Sequence, residues 1–241
     1  MDENQIILVD KPAGISSFGV VAKVRSKLKD EFGHKIKVGH TGTLDPFATG
    51  LLILLSGKMT KKSNEFLKLD KTYETTLKLG YISTTGDPEG EIQQYSNDGT
   101  FRSATVQKLA PSARGNGPDG RSPSQSIIDS ILQSFIGVIE QTPPRFSAIK
   151  INGERAYKLA RQGKDFEIPS RKINIYDIEI LSYNYPELKL RVYCSSGTYI
   201  RTLAEDIGAK LGTGAYLTSL RRLTIGNYNI ANAHPLSDFT A

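Results

Sequence analysis

The sequence has little cysteine and little histidine. Its 241 residues include one cysteine, Cys194, and three histidines, His34, His40 and His234. A single cysteine excludes a disulfide within the chain and a multi-cysteine zinc site. The histidines are too far apart in sequence to form a local metal-ligand pattern. The sequence therefore predicts no metal site and a reducing compartment.

Long apolar runs are absent as well. The best candidate, residues 51–55, is far shorter than the roughly 20 apolar residues that cross a bilayer. The N-terminus, MDENQIILVD, begins with acidic residues and lacks the basic head of a signal peptide. Hydrophobic residues make up 38% of the chain and charged residues 23%, which is typical of a globular protein. We expect a cytoplasmic protein without a membrane segment.

Basic residues outnumber acidic ones. The chain has 31 Lys and Arg against 25 Asp and Glu, which gives a net charge of +6. Basic side chains displace the counterions that condense around phosphates, so this balance favours a polyanionic partner. Many basic proteins bind no nucleic acid, and the charge alone does not identify one.

Hydrophobic periodicity predicts a mixture of helices and strands. Strands are predicted at residues 5–9, 51–55 and 71–79, and an antiparallel pair at residues 173–182 and 188–194. Helices are predicted at residues 18–29 with Ser16 or Ser17 as the cap, at 60–67, from about 124 to a stop at Gly137, and at 199–211. Residues 96–126 are poor in aliphatic side chains and are predicted to form a flexible insertion. Because no regular parallel βαβ alternation is seen, the predicted fold class is α+β.

Residues 38–50, VGHTGTLDPFATG, are the most unusual stretch of the chain. Three glycines and three threonines surround the carboxylate of Asp45 and the imidazole of His40. Glycines allow close approach of the backbone, and Pro46 stiffens the chain directly after Asp45. Such a loop suits the presentation of a side chain to a ligand. The alternative is a plain turn in which Asp45 accepts hydrogen bonds from local backbone NH groups.

Residues 39–61, GHTGTLDPFATGLLILLSGKMTK, resemble the signature of the TruB family of tRNA pseudouridine synthases. Further segments resemble other motifs of that family in the same order: DKPAGISS at residues 10–17, residues 71–73 and 79–87, residues 143–157, GTYIR at residues 197–201, and LRRL at residues 220–223. Each motif alone is moderate evidence. The series spans residues 10–223, and it makes the resemblance specific.

The resemblance implies an enzyme that isomerises one uridine of the tRNA T-loop, at position 55, to pseudouridine. It also implies the pseudouridine synthase fold, which is α+β with a mixed and largely antiparallel central sheet flanked by helices and loops. The reaction breaks the C1′–N1 bond and forms a C1′–C5 bond, so it requires neither a metal nor an organic cofactor. Asp45 is implied as the catalytic carboxylate. Attack on C6, attack on C1′ and removal of a ribose proton all remain open for it.

Two more catalytic residues are implied by the same resemblance. Arg201 matches the arginine that pairs with the carboxylate of Asp45, where its charge would keep the acid ionised. Tyr73 matches the aromatic residue that lies against the target base, and its hydroxyl could relay the proton released from C5. Without the motifs, a surface arginine and a core tyrosine would be the simpler interpretations.

The remaining site residues are predicted to bind the substrate. Tyr199 and Leu220 match positions that line the uracil pocket, and His40 matches a residue that helps to hold the extruded base. Lys150 and Arg155 lie in the segment that resembles the RNA clamp, and they are the candidates for phosphate contacts. For Tyr199, Leu220 and His40 the alternative is ordinary packing. For Lys150 and Arg155 the alternative is a solvated surface charge.

Many members of the family carry a small RNA-binding module, the PUA-like domain, after the catalytic part. The residues that follow position 223 are too few for a domain, which takes roughly 40 residues. We therefore expect one catalytic domain over residues 1–241, acting as a monomer on the tRNA T-arm and without a guide RNA.

Two other functions remain open at this point. One is a noncatalytic RNA-binding or tRNA-folding protein on the same fold. The other is a pseudouridine synthase that acts mainly on another RNA, such as stem-loops of mRNA or rRNA. Asp45, Tyr73 and Arg201 together favour an enzyme, because binding alone does not need that combination.

Overall fold

The computed structural model describes residues 2–95, 122–151 and 153–239. Within these ranges the helices are α1 (Ser17–Phe32), α2 (Ser63–Leu67), α3 (Gln125–Gln133), α4 (Ala156–Arg161) and α5 (Ile200–Leu211), with 3₁₀ turns at Gly57–Lys62, Ile230–Asn232 and Leu236–Phe239. The strands in the same ranges are β1 (Ile6–Lys11), β2 (Val38–His40), β3 (Thr49–Ser56), β4 (Lys71–Leu79), β5 (Tyr81–Ser83), β6 (Ile92–Gln94), β7 (Gly137–Gln141), β8 (Lys150–Ile151), β9 (Glu154–Arg155), β10 (Arg171–Asn184), β11 (Glu187–Cys194), β12 (Ala215–Ile225), β13 (Tyr228–Asn229) and β14 (His234–Pro235). Most of the insertion predicted at residues 96–126 lies outside the described residues.

The chain divides into two compact units. Unit 1 comprises Met1–Glu74 and Leu220–Ala241, and unit 2 comprises Thr75–Ser219. The prediction of one catalytic domain over residues 1–241 stays a prediction.

The sheet of unit 1 is mixed, with β3 at its centre. Strand β3 pairs antiparallel with β1 and with β2, and parallel with β12 through the register Arg221↔Thr49. Strand β14 pairs parallel with β1, and β13 pairs antiparallel with β12. The strand order is therefore β14-β1-β3-β12.

Strand β3 is buried on both faces. Alternate residues of a strand point to opposite faces, so its apolar run contributes to two cores. Leu52 and Leu54 pack with β1 and the buried face of α1, whereas the other face packs against Phe66 and Ile225 and consists of Leu51, Ile53 and Leu55. This double burial explains why the strand is a continuous apolar run and does not alternate.

Helix α1 confirms the helix predicted at residues 18–29. Its cap is Ser16, whose side chain accepts a hydrogen bond from the backbone NH of Gly19 at 3.0 Å. The helix ends at Gly33, which adopts the left-handed conformation with φ 77°. Its apolar residues recur on one face and are buried: Val20, Val21, Val24 and Leu28.

Unit 2 contains the predicted antiparallel pair as β10 and β11. Strand β10 also pairs antiparallel with β7, and the strand order is β4-β11-β10-β7. Helix α3 packs against α5 and β10. The short ribbons β5–β6 and β8–β9 are antiparallel as well. The two units thus confirm the predicted α+β class and its mixed, largely antiparallel sheet.

Two local predictions need correction, and one long strand was not predicted. Helix α3 ends at Gln133, and Gly137, which was predicted to stop it, is the first residue of β7 with φ 103°. The helix predicted at residues 60–67 is a 3₁₀ turn that is followed by α2. The sequence did not predict β12, because two adjacent arginines interrupt its apolar pattern.

No helix in the part of the chain that the structure describes is long and apolar enough to cross a membrane.

Gly50 allows β3 and β12 to approach each other closely, and we expect Gly50→Ala to destabilise the protein strongly. A Cβ at this position would lie 2.3 Å from the carbonyl oxygen of Arg222, and φ is 104°. We expect a loss of at least roughly 3 kcal/mol in the free energy of unfolding, measured by urea denaturation. Gly33→Ala is the control, because φ is 77° there and nothing lies within 4 Å. It should cost only about 1–2 kcal/mol, and equal losses in the two variants would contradict the prediction.

Candidate active site

Asp45 lies in the loop that connects β2 to β3 in unit 1. The loop covers residues 41–48, because β2 extends to His40 and β3 begins at Thr49, so it is shorter than the predicted loop. Asp45 is half-buried, and its carbonyl oxygen accepts a hydrogen bond from the backbone NH of Ala48 at 3.1 Å. This bond closes a tight turn directly after the carboxylate.

Ser17 holds the residue that precedes Asp45. Its hydroxyl donates to the carbonyl of Leu44 at 2.9 Å and accepts from the backbone NH of Leu44 at 2.8 Å. Ser17 is buried and begins helix α1. Because both backbone groups of Leu44 are bound to one side chain, the loop is fixed to the start of the helix.

Lys11 holds the residue that follows Asp45. Its ammonium group donates to the carbonyls of Pro12, Ile15 and Pro46 at 2.8–3.1 Å. The backbone NH of Gly14 donates to the same carbonyl of Pro46 at 2.9 Å. Lys11 is fully buried, and a buried ammonium is tolerated only where it is hydrogen-bonded in this way. The segment DKPAGISS is thereby tied to the loop.

Arg222 holds the beginning of the loop. Its Nη2 donates to the carbonyl of Gly42 at 3.1 Å, and its Nε donates to the carbonyl of Leu51 at 2.8 Å. The side chain is 2% exposed, which is unusual for arginine. Gly42, Leu44 and Pro46 therefore each present a carbonyl group to a different buried side chain, and Asp45 lies between two of these fixed residues.

The other predicted residues of unit 1 lie on strands. His40 is the last residue of β2 and is half-buried. Tyr73 on β4 and Leu220 on β12 are both buried, with 7% of each residue exposed. Their proposed contacts with the base stay predictions.

Arg201 is buried in the first turn of α5, in unit 2. It forms an ion pair with Asp87 at 3.3 Å, and both side chains are 4% exposed. Its guanidinium also donates to the carbonyls of Thr85 at 2.9 Å and Phe146 at 3.0 Å. Asp87 in turn accepts hydrogen bonds from the Thr85 hydroxyl and the Glu89 backbone NH. A buried arginine is thereby held in one orientation by a set of acceptors.

No role was predicted for Asp87 from the sequence. A signal was present, because Asp87 closes the Thr85-Gly86-Asp87 segment that belongs to one of the family motifs. The partner of a buried arginine cannot be identified from spacing alone. The predicted pairing of Arg201 with Asp45 stays a prediction.

Tyr199 is held by two residues that the sequence analysis did not single out. The side-chain amide of Gln141 accepts from the backbone NH of Tyr199 at 2.8 Å and donates to its carbonyl at 3.0 Å. The guanidinium of Arg171 lies 4.9 Å from the centre of the Tyr199 ring and donates to the carbonyl of Gly197. Arg171 and Gln141 are cross-strand partners on β10 and β7. They fix the start of α5, and with it the turn that carries Arg201.

Lys150 and Arg155 are brought together on the β8–β9 ribbon. They are cross-strand partners, and both are exposed. The guanidinium of Arg155 also donates to the carbonyl of Ala148. Two neighbouring exposed cations suit contacts with phosphates, but the assignment of these contacts stays a prediction.

A second charged group lies next to Arg201 on α5. The pKa of Glu205 is raised to about 7, mainly by burial and also by the nearby Asp206 and Asp87, whereas Arg201 opposes the shift. Burial also raises the pKa of Asp206 to about 6. A Cβ added to Gly86 would lie 2.6 Å from Oε1 of Glu205, so glycine is needed where the chain passes this carboxyl group.

Two family models match the chain. The model described as "TruB family pseudouridylate synthase (N terminal domain)" matches residues 28–118 and 117–200. The model described as "tRNA pseudouridylate synthase B C-terminal domain" matches residues 201–241. The expected absence of a PUA-like domain stays a prediction.

Two similar curated proteins share a name. The "tRNA pseudouridine synthase B" of Phocaeicola vulgatus is 42% identical over 238 residues, which cover 98% of this chain and 92% of that protein. The protein of the same name from Flavobacterium johnsoniae is 41% identical over 239 residues, which cover 98% of this chain and 95% of that protein.

Among solved structures, the chain is similar to one in the crystal structure of a Cbf5-Nop10-Gar1 complex. The TM-score is 0.64 at 26% identity, and the match covers 98% of this chain. It covers 53% of the solved chain, so this protein spans about half the length of that structural relative.

Glu205→Gln should stabilise the protein more at pH 8 than at pH 4.5. The pKa of Glu205 is about 7 in the folded state, whereas the ordinary value for a glutamate is 4.5, so the folded state holds this proton more tightly. The free energy of unfolding of the wild type therefore falls as the pH rises through this window, by on the order of 2 kcal/mol from this group. Glutamine removes that loss.

Urea denaturation of both proteins at pH 4.5 and pH 8 measures the difference. Glu187→Gln is the control, because Glu187 is exposed. A stability difference between Glu205→Gln and wild type that is the same at the two pH values would contradict the raised pKa.

Proposed function

Because the chain belongs to the TruB family of pseudouridine synthases, we propose that it is a tRNA pseudouridine synthase that converts the T-loop uridine at position 55 to pseudouridine. The observation that carries the proposal is the 42% identity to a tRNA pseudouridine synthase B over nearly the whole length of both chains. The target position and the roles of individual residues go beyond that similarity, and they rest on the motifs and on the geometry of each unit.

The reaction is an isomerisation within one nucleotide. The bond between C1′ and N1 breaks, the uracil turns, and a bond forms between C1′ and C5. The proton at C5 is then lost, and N1 gains a proton, so atoms and electrons balance without an added reactant. The enzyme has to hold the detached base, assist its release, and remove one proton.

Asp45 is the proposed catalytic carboxylate. Its loop is fixed on both sides, because Ser17 binds Leu44 and Lys11 binds Pro46. A carboxylate that is positioned before the substrate arrives needs no rearrangement during the reaction, which favours covalent or acid-base chemistry. Attack on C6, attack on C1′ and removal of a ribose proton remain the alternatives for the step that it performs.

Arg201 is the proposed partner of this carboxylate. Desolvation around a bound nucleotide would raise the pKa of a carboxyl group, and an adjacent guanidinium opposes that shift. The buried ion pair with Asp87 supports the proposal, since it holds Arg201 in one orientation. Arginine stays charged in such surroundings, whereas a lysine would be more prone to lose its proton.

The target base has to leave its stack before it reacts, at a cost of a few kcal/mol. We assign the compensating contacts to Tyr73, Tyr199, Leu220 and His40. Tyr73 lies against the base and relays the C5 proton, Tyr199 and Leu220 line the uracil pocket, and His40 holds the extruded nucleotide. The hydrogen bonds of Gln141 to the backbone of Tyr199 support this assignment, because a pocket residue has to be held in place.

The proposed partner is the T-arm of tRNA, bound by a monomer in the cytoplasm. Lys150 and Arg155 are the proposed phosphate contacts of the β8–β9 ribbon, where both are exposed. RNA recognition of this kind reads the loop shape, the phosphates and the splayed bases.

Asp45→Asn should abolish pseudouridine formation and leave RNA binding nearly intact. Asparagine keeps the size of the side chain but can neither attack nor accept a proton. We expect a loss of more than roughly a thousandfold in kcat and an affinity for tRNA within about threefold of wild type, because one half-buried charge contributes little to binding. Single-turnover assays and fluorescence anisotropy measure the two quantities. Asp30→Asn, at an exposed position of α1, is the control, and substantial turnover by Asp45→Asn would remove Asp45 from its role.

A T-arm hairpin tests the substrate. We expect product at the uridine that corresponds to position 55, and none in an unrelated hairpin of equal length, because the loop shape has to present that base. Nucleoside chromatography after digestion detects the product. Equal turnover on the unrelated hairpin would favour a synthase for other RNAs, and no product with any full-length tRNA would favour a noncatalytic RNA-binding or tRNA-folding protein.

A further inference from the structure

A surface depression of about 450 Å³ lies beside helix α1 in unit 1. Its lining consists of Ala22, Arg25, Ser26, Lys29 and Lys35. Three of these side chains are cationic, and the lining contains no carboxylate from the described residues. The depression therefore offers a concentrated positive charge and no acidic group to compensate it.

Helix geometry places these residues on one face. Positions 22, 25, 26 and 29 follow the spacing of residues that share a helix face, and Lys35 follows the helix after its cap at Gly33. The buried face of α1, which contains Val20, Val24 and Leu28, lies elsewhere on the helix. The cations are consequently directed away from the core.

Arg25 and Lys29 repel each other. They are four residues apart, and like charges at this spacing destabilise a helix by a few tenths of a kcal/mol. Neither they nor Lys35 forms an ion pair with any residue that the structure describes. Lys29 lies in the last turn of α1, where the helix dipole favours a cation. Arg25 and Lys35 lie outside that turn and gain no such stabilisation. An anionic partner would remove the repulsion among all three.

The start of helix α1 contacts the loop of Asp45 through Ser17. Phe18 lies four residues before Ala22 on this face, and it is 64% exposed, which is high for a phenylalanine. Its neighbour Ser17 binds Leu44, the residue next to Asp45. At 1.5 Å per residue, Lys29 lies about 17 Å along the helix from Phe18. An RNA strand that enters the loop region can therefore continue along this face.

We propose that this face binds the sugar–phosphate backbone of the RNA substrate outside the loop that contains the target uridine. We call it the α1 basic face, and it consists of Phe18, Ala22, Arg25, Ser26, Lys29 and Lys35. The identity of the RNA as a tRNA rests on the proposed function. Cations that line a depression with no carboxylate among its described lining residues suit phosphates, which need charge but no base-specific contact.

The test is a double variant, Arg25→Gln with Lys29→Gln. Its control, Lys23→Gln with Lys27→Gln, removes the same charge from the same helix at positions that do not line the depression. Fluorescence anisotropy with labelled full-length tRNA gives Kd over a series of salt concentrations, and circular dichroism checks that both variants are folded.

We expect the α1 basic face variant to bind tRNA about tenfold more weakly at low salt, and its salt slope to fall by between one and two. In turnover assays the loss should affect KM more than kcat. The control should stay within about twofold of wild type. Equal losses in the two variants would show a general effect of net charge, and no loss in either would also overturn the proposal.

Two further outcomes are distinguishable. If the wild type binds tRNA but forms no pseudouridine, the proposed function fails while the comparison of affinities still tests the α1 basic face. If the double variant keeps its tRNA affinity but loses binding to phosphatidylglycerol vesicles that the wild type binds, the face contacts a membrane surface and the RNA proposal is wrong.

Discussion

The geometry of unit 1 depends on the hydrogen bonds that fix the loop of Asp45. Carbonyl groups on both sides of the carboxylate accept from buried side chains of β1, α1 and β12. The dependence is mutual. The loop supplies part of the acceptors that the buried Lys11 and Arg222 require, and these buried donors in turn hold the loop in its conformation. The consecutive elements β1 and α1 and the distant strand β12 thus converge on one turn.

In unit 2 as well, a buried charged side chain is held in a fixed position by hydrogen bonds. Arg201 is held by Asp87 and by two backbone carbonyls, and the start of its helix is held by Gln141 and Arg171. Buried charge of this kind is seldom the most stable solution, because apolar residues of similar size avoid the desolvation penalty. The raised pKa of Glu205 is a further cost at neutral pH. A protein that retains such groups gives up stability for a fixed arrangement of charge, which is common at functional sites.

The positive charge of the chain is distributed in a way that suits a long polyanion. The net charge of +6 includes the cations beside helix α1 in unit 1 and the exposed pair on the β8–β9 ribbon in unit 2. Contacts of this sort position a nucleic acid without reading its sequence. In the proposed function, the selection of one uridine comes from the shape of the RNA loop and from the pocket that accepts the extruded base.

The sequence by itself determined the family, the α+β class, helix α1, the antiparallel pair β10–β11 and the loop that carries Asp45. Each of these follows from local periodicity or from the order of motifs, and both are properties of the linear sequence. Only the tertiary structure decided that Asp87 pairs with Arg201, that Gln141 holds Tyr199, and that the buried Arg222 donates to the carbonyl of Gly42 in the loop. These contacts join residues that lie from 58 to 180 positions apart. No local pattern specifies such pairs, since they follow from the packing of strands and helices and from the need to satisfy each buried donor.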